Sequence, residues 1–179
     1  MRIISGKFKR RRISPPNNIS ARPTTDFAKE GLFNLLSNRI DIEEMCVLDL
    51  FAGTGSISLE FISRECKSLT AVEQSELHCA FIRKVCKELK IENLLLFKSD
   101  VFKFVEKTRQ QYDLIFADPP YDLPKFSEIP DLIFKNNILG EKGLFILEHS
   151  VKNNFESHPN FVEQRHYGNV NFSFFENKE

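Results

Sequence analysis

No apolar run in this 179-residue chain approaches the roughly 18 to 20 residues needed to cross a bilayer, so a membrane-spanning helix is excluded. The basic first residues are not followed by an apolar h-region. A secretory signal is therefore not expected, and a cytoplasmic location is. Cys46, Cys66, Cys79 and Cys86 contain no C-x-x-C pair, and each falls in a stretch that reads as strand or helix. That pattern points to buried free thiols in a reducing compartment rather than to disulfides or a metal site. His78, His149, His158 and His166 lack ligand spacing, so no metal is expected at all. There is no internal repeat, and the length suits a single domain with a real core.

Acidic residues are missing from one end. Residues 1–25 carry seven basic side chains and no acid, which leaves 18 basic against 25 acidic in residues 26–179. The net charge of zero thus hides +7 on an arm and −7 on a body. A basic arm on an acidic body suits a polyanionic partner, with Lys7, Lys9, Arg10, Arg11 and Arg12 neutralising phosphates and binding falling with salt. The division expected is a basic N-terminal arm over 1–25 and a catalytic domain over 26–179. The arm opens with an apolar patch, Ile3 and Ile4, that can pair as a hairpin or order only on binding. Ser14 to Asn18 reads as a linker.

Beyond the linker the chain is α/β in pattern. Arg22-Pro23-Thr24-Thr25-Asp26 opens a helix capped by Thr24, Thr25 or Asp26, with Phe27, Leu32, Phe33, Leu35 and Leu36 as its apolar face and an end near Ser37. Arg22, Thr24 and Thr25 sit where the arm ends and can touch a ligand. Gly31 costs this helix about 1 kcal/mol relative to Ala unless a neighbour packs closely there. Cys46 to Phe51 is a buried strand, then Ala52-Gly53-Thr54-Gly55 a turn, then a helix from Ser56 to Arg64. A dinucleotide fingerprint wants a third glycine where this chain has Ser58, which disfavours a nicotinamide or flavin site. The second strand, Leu69 to Val72, ends in Glu73, placed to accept both hydroxyls of a ribose. A helix from Ser75 to Leu89 presents Leu77, Phe81, Ile82, Val85 and Leu89, and the third strand, Leu94 to Phe97, leads to Asp100, which can accept from an adenine amino group. A short helix over 102–108, a helix over 126–134 interrupted at Pro130, a strand over Leu144 to Leu147 and a terminal hairpin over 161–167 and 170–175 complete the pattern.

The fourth strand, Tyr112 to Ala117, ends in Asp118-Pro119-Pro120-Tyr121, and ligands of open α/β sheets bind at such strand ends. Two prolines fix φ and remove two backbone donors, leaving carbonyls to accept beside a carboxyl group and an aromatic face. Acceptors plus a flat ring suit a planar amine.

Asp49-Leu50-Phe51-Ala52-Gly53-Thr54-Gly55, Glu73, Asp100 and Asp118-Pro119-Pro120-Tyr121, in that order, resemble the class I methyltransferases that use S-adenosylmethionine. The last motif resembles the amino-methyltransferases of nucleobase exocyclic nitrogens. Arg2-Ile3-Ile4-Ser5-Gly6-Lys7-Phe8-Lys9, Arg22-Pro23-Thr24-Thr25-Asp26 and Lys29-Glu30-Gly31-Leu32-Phe33-Asn34 are similar to the RsmD family, which methylates a guanine N2 in small-subunit (16S) ribosomal RNA. Gly31 stands where that family usually has alanine. The likeness runs through Tyr121 and implies a Rossmann-like, seven-stranded, mostly parallel sheet with helices on both faces and a C-terminal antiparallel hairpin.

The resemblance also implies roles. Asp49, Phe51, Ala52, Gly53, Thr54 and Gly55 would hold the cofactor's methionine end, Glu73 its ribose, and Asp100 with Val101 its adenine. Asp118, Pro119, Pro120 and Tyr121 would hold the target base, with Asp118 also bordering the cofactor. The partner would be ribosomal RNA or an assembling small subunit, met by a monomer. Two alternatives stay open: an adenine-N6 or cytosine-N4 amino-methyltransferase acting on DNA or other RNA, and a non-catalytic RNA-binding protein that keeps the fold.

Overall fold

The computed structural model describes residues 1–16, 19 and 25–178; Arg22, Thr24 and part of the Ser14 to Asn18 linker lie outside the described residues. Seven strands form one sheet: β1 (Cys46–Leu50), β2 (Ser68–Glu73), β3 (Leu94–Lys98), β4 (Tyr112–Ala117), β5 (Leu139–His149), β6 (Phe161–Tyr167) and β7 (Val170–Glu176), in the order β3-β2-β1-β4-β5-β7-β6. β7 alone runs antiparallel, paired to β5 on one side and β6 on the other. Among the described residues, five α-helices accompany it: α1 (Asp26–Ser37), α2 (Ser56–Ser63), α3 (Glu76–Leu89), α4 (Val101–Lys107) and α5 (Ile129–Lys135). The expected α/β architecture is present, with the hairpin closing the sheet.

Strand alternation divides the core into two layers. Val47, Leu114, Phe116, Ile146, Phe172 and Phe174 point toward α1, α2 and α3. Leu48, Leu50, Ile115, Phe145, Leu147 and Phe175 point toward α4 and α5. A sheet covered on both faces needs strands apolar on both faces, which is why β4 reads as a near-continuous apolar run. Among the described residues, no helix is long and apolar enough to cross a membrane.

Local chemistry sets the helix starts. The Thr25 hydroxyl accepts from the Ala28 N–H and caps α1, and Ser75 caps α3 by accepting from His78. Gly31 has the close neighbour its cost demands, since a side chain there would begin 2.2 Å from the Tyr167 ring. The Tyr167 hydroxyl donates to the Gly31 carbonyl at 3.2 Å, so the terminal hairpin packs directly on α1.

Some expectations need correction. Phe27 is 68 % exposed, on the edge of the α1 face, where it meets only the rim of Tyr167; Ala28 and Lys29 occupy the buried face instead. Leu77 is exposed, and Cys79 takes the buried position in the first turn of α3. Cys66 lies in the connection into β2 rather than in an element, though all four cysteines are free. Pro130 does not interrupt a helix but opens α5 after a short 3-10 turn over Phe126–Glu128, where its missing N–H has no intrahelical partner to lose. β5 begins at Leu139, five residues before the strand expected there.

Within the basic arm, residues 1–13 form a hairpin docked on the body. Arg2 bridges Arg12, and the Ile3 N–H donates to Arg11 at 3.0 Å. Ile3 and Phe8 are buried in the core beside α2, whereas Lys7, Lys9, Arg10, Arg11 and Arg12 are all exposed. Gly6 makes this docking possible: at φ +79 it passes so close to α2 that a side chain would begin 1.8 Å from the Ser63 carbonyl oxygen.

Candidate active site

β1 leads away to β2 and β3 on one side, and the chain returns to β4 on the other. This reversal is the topological switch point where α/β sheets leave a crevice at the carboxyl ends of their strands. A cavity of about 550 Å³ opens there, lined by Phe51 and Gly53 after β1, Glu73 at the tip of β2, Asp100 and Val101 after β3, and Asp118 through Leu123 after β4. Four successive parallel strands therefore each deliver an acid or a glycine turn to one space.

The turn after β1 is built on unusual backbone. Phe51, a non-glycine residue, has φ +62, and Gly53 and Gly55 have φ +55 and +77. A left-handed phenylalanine costs about 1–3 kcal/mol and persists only where its surroundings hold it. Here it turns the Gly53 N–H toward Glu73, whose Oε2 accepts at 2.7 Å while Oε1 accepts from the Ser75 N–H at 2.7 Å. Glu73 is thereby locked at the cavity wall. Gly55 ends the turn where a side chain would begin 3.1 Å from Ile82, so α3 packs tightly against it.

Asp49 is buried and does not reach the cavity wall. It accepts a hydrogen bond from the Ser58 hydroxyl, beneath the glycine turn. Burial pushes its carboxyl up to about 7, with Glu73 adding to the rise and Ser58 opposing it. Ser58, the residue that breaks the dinucleotide fingerprint, is thus the partner of an acid. Ala52, Thr54 and Gly55 likewise lie in the turn without lining the cavity.

Asp100 caps α4, accepting from the Lys103 N–H at 3.0 Å, which fixes its carboxylate beside Val101 and Phe102. At the end of β4 the Asp118 N–H donates to the Leu50 carbonyl at 3.4 Å and the Leu123 N–H to the Pro120 carbonyl at 3.0 Å. Pro119 is buried, Pro120 exposed and Tyr121 half-buried, its ring set edge-on to Phe126 at 6.5 Å. The far wall holds Thr25, Glu148 and Val170.

Of the residues expected at a ligand, Phe51, Gly53, Glu73, Asp100, Val101, the Asp118 to Tyr121 turn and Thr25 share this cavity. Lys7, Lys9, Arg10, Arg11 and Arg12 are not on its wall; they ride on the docked hairpin. Sequence reasoning missed Glu148, a buried acid on the strand beside β4. It also missed Lys29 and Glu60, which are fully buried under the hairpin. Glu60 gave the signal of a charged residue inside an apolar stretch. Among the described residues, no group of histidines, cysteines and acids could hold a metal ion.

The family model described as conserved hypothetical protein 95 matches residues 1–176. The chain belongs to this family, the RsmD methyltransferases. Ribosomal RNA small subunit methyltransferase D of Buchnera aphidicola is 34 % identical over 148 residues, covering 83 % of this chain and 75 % of the relative. The protein of the same name from Escherichia coli is 31 % identical over 159 residues, covering 89 % and 79 %. The solved structure of the Escherichia coli protein yhhF superposes with a TM-score of 0.86 at 27 % identity, over 99 % of each chain. The chain thus has a class I methyltransferase fold.

Proposed function

We propose that this chain transfers a methyl group from S-adenosylmethionine to the exocyclic N2 of a guanine in small-subunit (16S) ribosomal RNA. Membership of the family makes it an RNA methyltransferase; the base, the atom and the residue roles are the finer reading. The observation that carries it is the meeting of Glu73, Asp100 and the Asp118-Pro119-Pro120-Tyr121 turn around one cavity. The names of the Buchnera and Escherichia coli relatives support a small-subunit RNA substrate.

The residues fit the cofactor. Glu73 already accepts from two backbone N–H groups, and a carboxylate has about four lone-pair sites, which leaves capacity for ribose hydroxyls. Phe51, Val101 and Phe102 offer apolar walls to a purine, with Asp100 as acceptor for its amino group. Gly53 leaves backbone open to the methionine end: the nearest atom to a side chain there would be the Phe51 carbonyl at 3.9 Å. When bound, S-adenosylmethionine supplies an electrophilic methyl group on a sulfonium.

An exocyclic guanine amine is a poor nucleophile because its lone pair is delocalised into the ring. N–H donation to the Asp118 carboxylate and the Pro119 carbonyl turns that lone pair out of the ring plane and aims it along the cavity. Tyr121 stacks on the base. These groups reach a base only outside its stack, so the target is a flipped or unpaired nucleotide. Catalysis rests on positioning, and Asp118 need not be a strong base, because the amine gives up its proton readily once alkylated. Residues 1–25 act as an RNA-binding extension of the catalytic domain, 26–179. In this reading Lys7, Lys9, Arg10, Arg11 and Arg12 contact phosphates.

Incubation with labelled cofactor and small-subunit particles from cells lacking the gene, followed by nucleoside mass analysis, tests the proposal. N2-methylguanosine is expected. N6-methyladenosine or N4-methylcytosine would replace it with another amino-methyltransferase reading, and failure to bind the cofactor by calorimetry would favour a non-catalytic role.

A further inference from the structure

The Asp-Pro-Pro-Tyr turn does not by itself choose among guanine, adenine and cytosine, since each offers two amine N–H donors. We propose that Glu148 makes the choice by accepting the N1–H of the target guanine. This inference rests on the guanine reading above and specifies how the same cavity enforces it.

Glu148 lies on β5, the strand beside β4. Ala117 of β4 pairs with Leu147 of β5, so Asp118 and Glu148 come one step further along two adjacent parallel strands. Neighbouring strands are roughly 5 Å apart. Phe116 and Ile146 point to the α1 side of the sheet, and Ala117 and Leu147 to the other. Continued alternation returns Asp118 and Glu148 to the α1 side, the side from which Thr25 and Val170 close the cavity. Glu148 is only 3 % exposed and follows the buried run Leu144, Phe145, Ile146 and Leu147. Its place on the cavity wall, one step past the last register pair of β4 and β5, puts a carboxylate within reach of a base held at Asp118.

Chemistry tells the bases apart. On the Watson–Crick edge of guanine, the N1–H stands beside the N2 amine, so two adjacent acceptors meet donors only. Adenine presents a lone pair at N1 beside its amine, and cytosine a lone pair at N3. A second carboxylate would face that lone pair and lose its partner. Sites built to hydrogen-bond one group reject an analogue lacking it far more strongly than apolar pockets reject a change of shape. Asp118 with the Pro119 carbonyl therefore serves any exocyclic amine, and Glu148 restricts the amine to guanine.

The test uses small-subunit particles reconstituted with 2-aminopurine at the mapped target position. That base keeps the 2-amine but carries a lone pair at N1. Wild-type protein is expected to prefer guanine by about 100-fold or more in kcat/KM. In Glu148→Leu, which removes the acceptor, guanine methylation is expected to fall about 100-fold and the preference to narrow below about tenfold. Affinity for S-adenosylmethionine, measured by calorimetry, should stay within about twofold of wild type, which a merely structural role would not predict. An undiminished preference in the Leu variant, or a loss of cofactor binding in step with activity, would overturn the assignment while leaving N2-methylguanosine as the product. A wild-type product other than N2-methylguanosine would overturn the guanine reading itself.

Discussion

Under the N-terminal hairpin, the fully buried Glu60 accepts from the Ile4 and Ser5 N–H groups at 2.8 and 3.1 Å and from Arg64 Nε at 3.0 Å, with Lys29 Nζ 3.9 Å away. Lys29 in turn donates to the Arg2 carbonyl at 2.7 Å and the Ser56 hydroxyl at 3.2 Å. At the strand tips, Glu73, Asp100, Asp118 and Glu148 instead share a cavity of about 550 Å³. The first cluster turns its acid inward and consumes its acceptors in tying residues 1–13 to α1 and α2. The second turns its acids toward a space that a ligand can fill. Acidic side chains thus do two jobs, and their place under the hairpin or on the cavity wall distinguishes them. Burial of Lys29 and Glu60 is expensive, but a network satisfied within the chain returns that cost as fixed geometry.

The largest separation of the two clusters should come from Asp118→Ala. Methyl transfer is expected to fall by about 10³-fold in single-turnover assays, with cofactor affinity and folding stability nearly unchanged. Turnover within tenfold of wild type would remove Asp118 from the chemistry. Glu60→Ala should do the reverse, lowering stability by about 3–5 kcal/mol because it leaves a buried ammonium and two backbone N–H groups without their acceptor. Amide exchange at Ile4 and Ser5 should rise with it. A loss below about 1 kcal/mol in urea titration would mean that the hairpin is held by Ile3 and Phe8 alone.

Asp49 belongs to neither cluster and tests the boundary between them. Its folded carboxyl titrates near 7, above the ordinary value of 3.8, so the folded state keeps a proton that the unfolded state releases. The contribution favours folding below the ordinary value and is lost as pH rises from about 4 to about 7. Asp49→Asn should flatten the stability profile across that window and gain most relative to wild type near pH 8. Parallel profiles for the two proteins would show that Asp49 ionises in the fold without cost. The smallest effect is expected on the outer face of the hairpin. Lys9→Glu with Arg10→Glu should weaken RNA binding by about tenfold and lower the salt slope by about 1–2, leaving cofactor binding alone. RNA affinity indifferent to this change would give the arm another job.

Much of the fold was legible from residues in order. β4 was bounded to the residue because an apolar run met a polar break at each end, and the start of α1 was narrowed to Thr24, Thr25 or Asp26 because such residues cap helices through short-range hydrogen bonds. The strand-end acids Glu73, Asp100 and Asp118 were legible because a parallel sheet places successive strand ends side by side. The features that stayed hidden depend on partners distant in sequence. Glu60 meets Ile4 across 56 residues and Gly31 meets Tyr167 across 136, and neither leaves a local pattern. Glu148 was hidden because it follows the apolar run Leu144 to Leu147 on which the strand was recognised, and only the register with β4 brings it beside Asp118. Phe27 and Leu77 matched a helical period but fell at its margins, where packing rather than periodicity decides exposure.

The most direct test of guanine N2 methylation is the ribosomal RNA of cells with and without the gene, mapped nucleotide by nucleotide and analysed by mass. One N2-methylguanosine in the small-subunit RNA should vanish without the gene and return with the wild-type chain but not with Asp118→Ala. An unchanged set of N2-methylguanosines, or the loss of a methylated adenine or cytosine instead, would contradict the account.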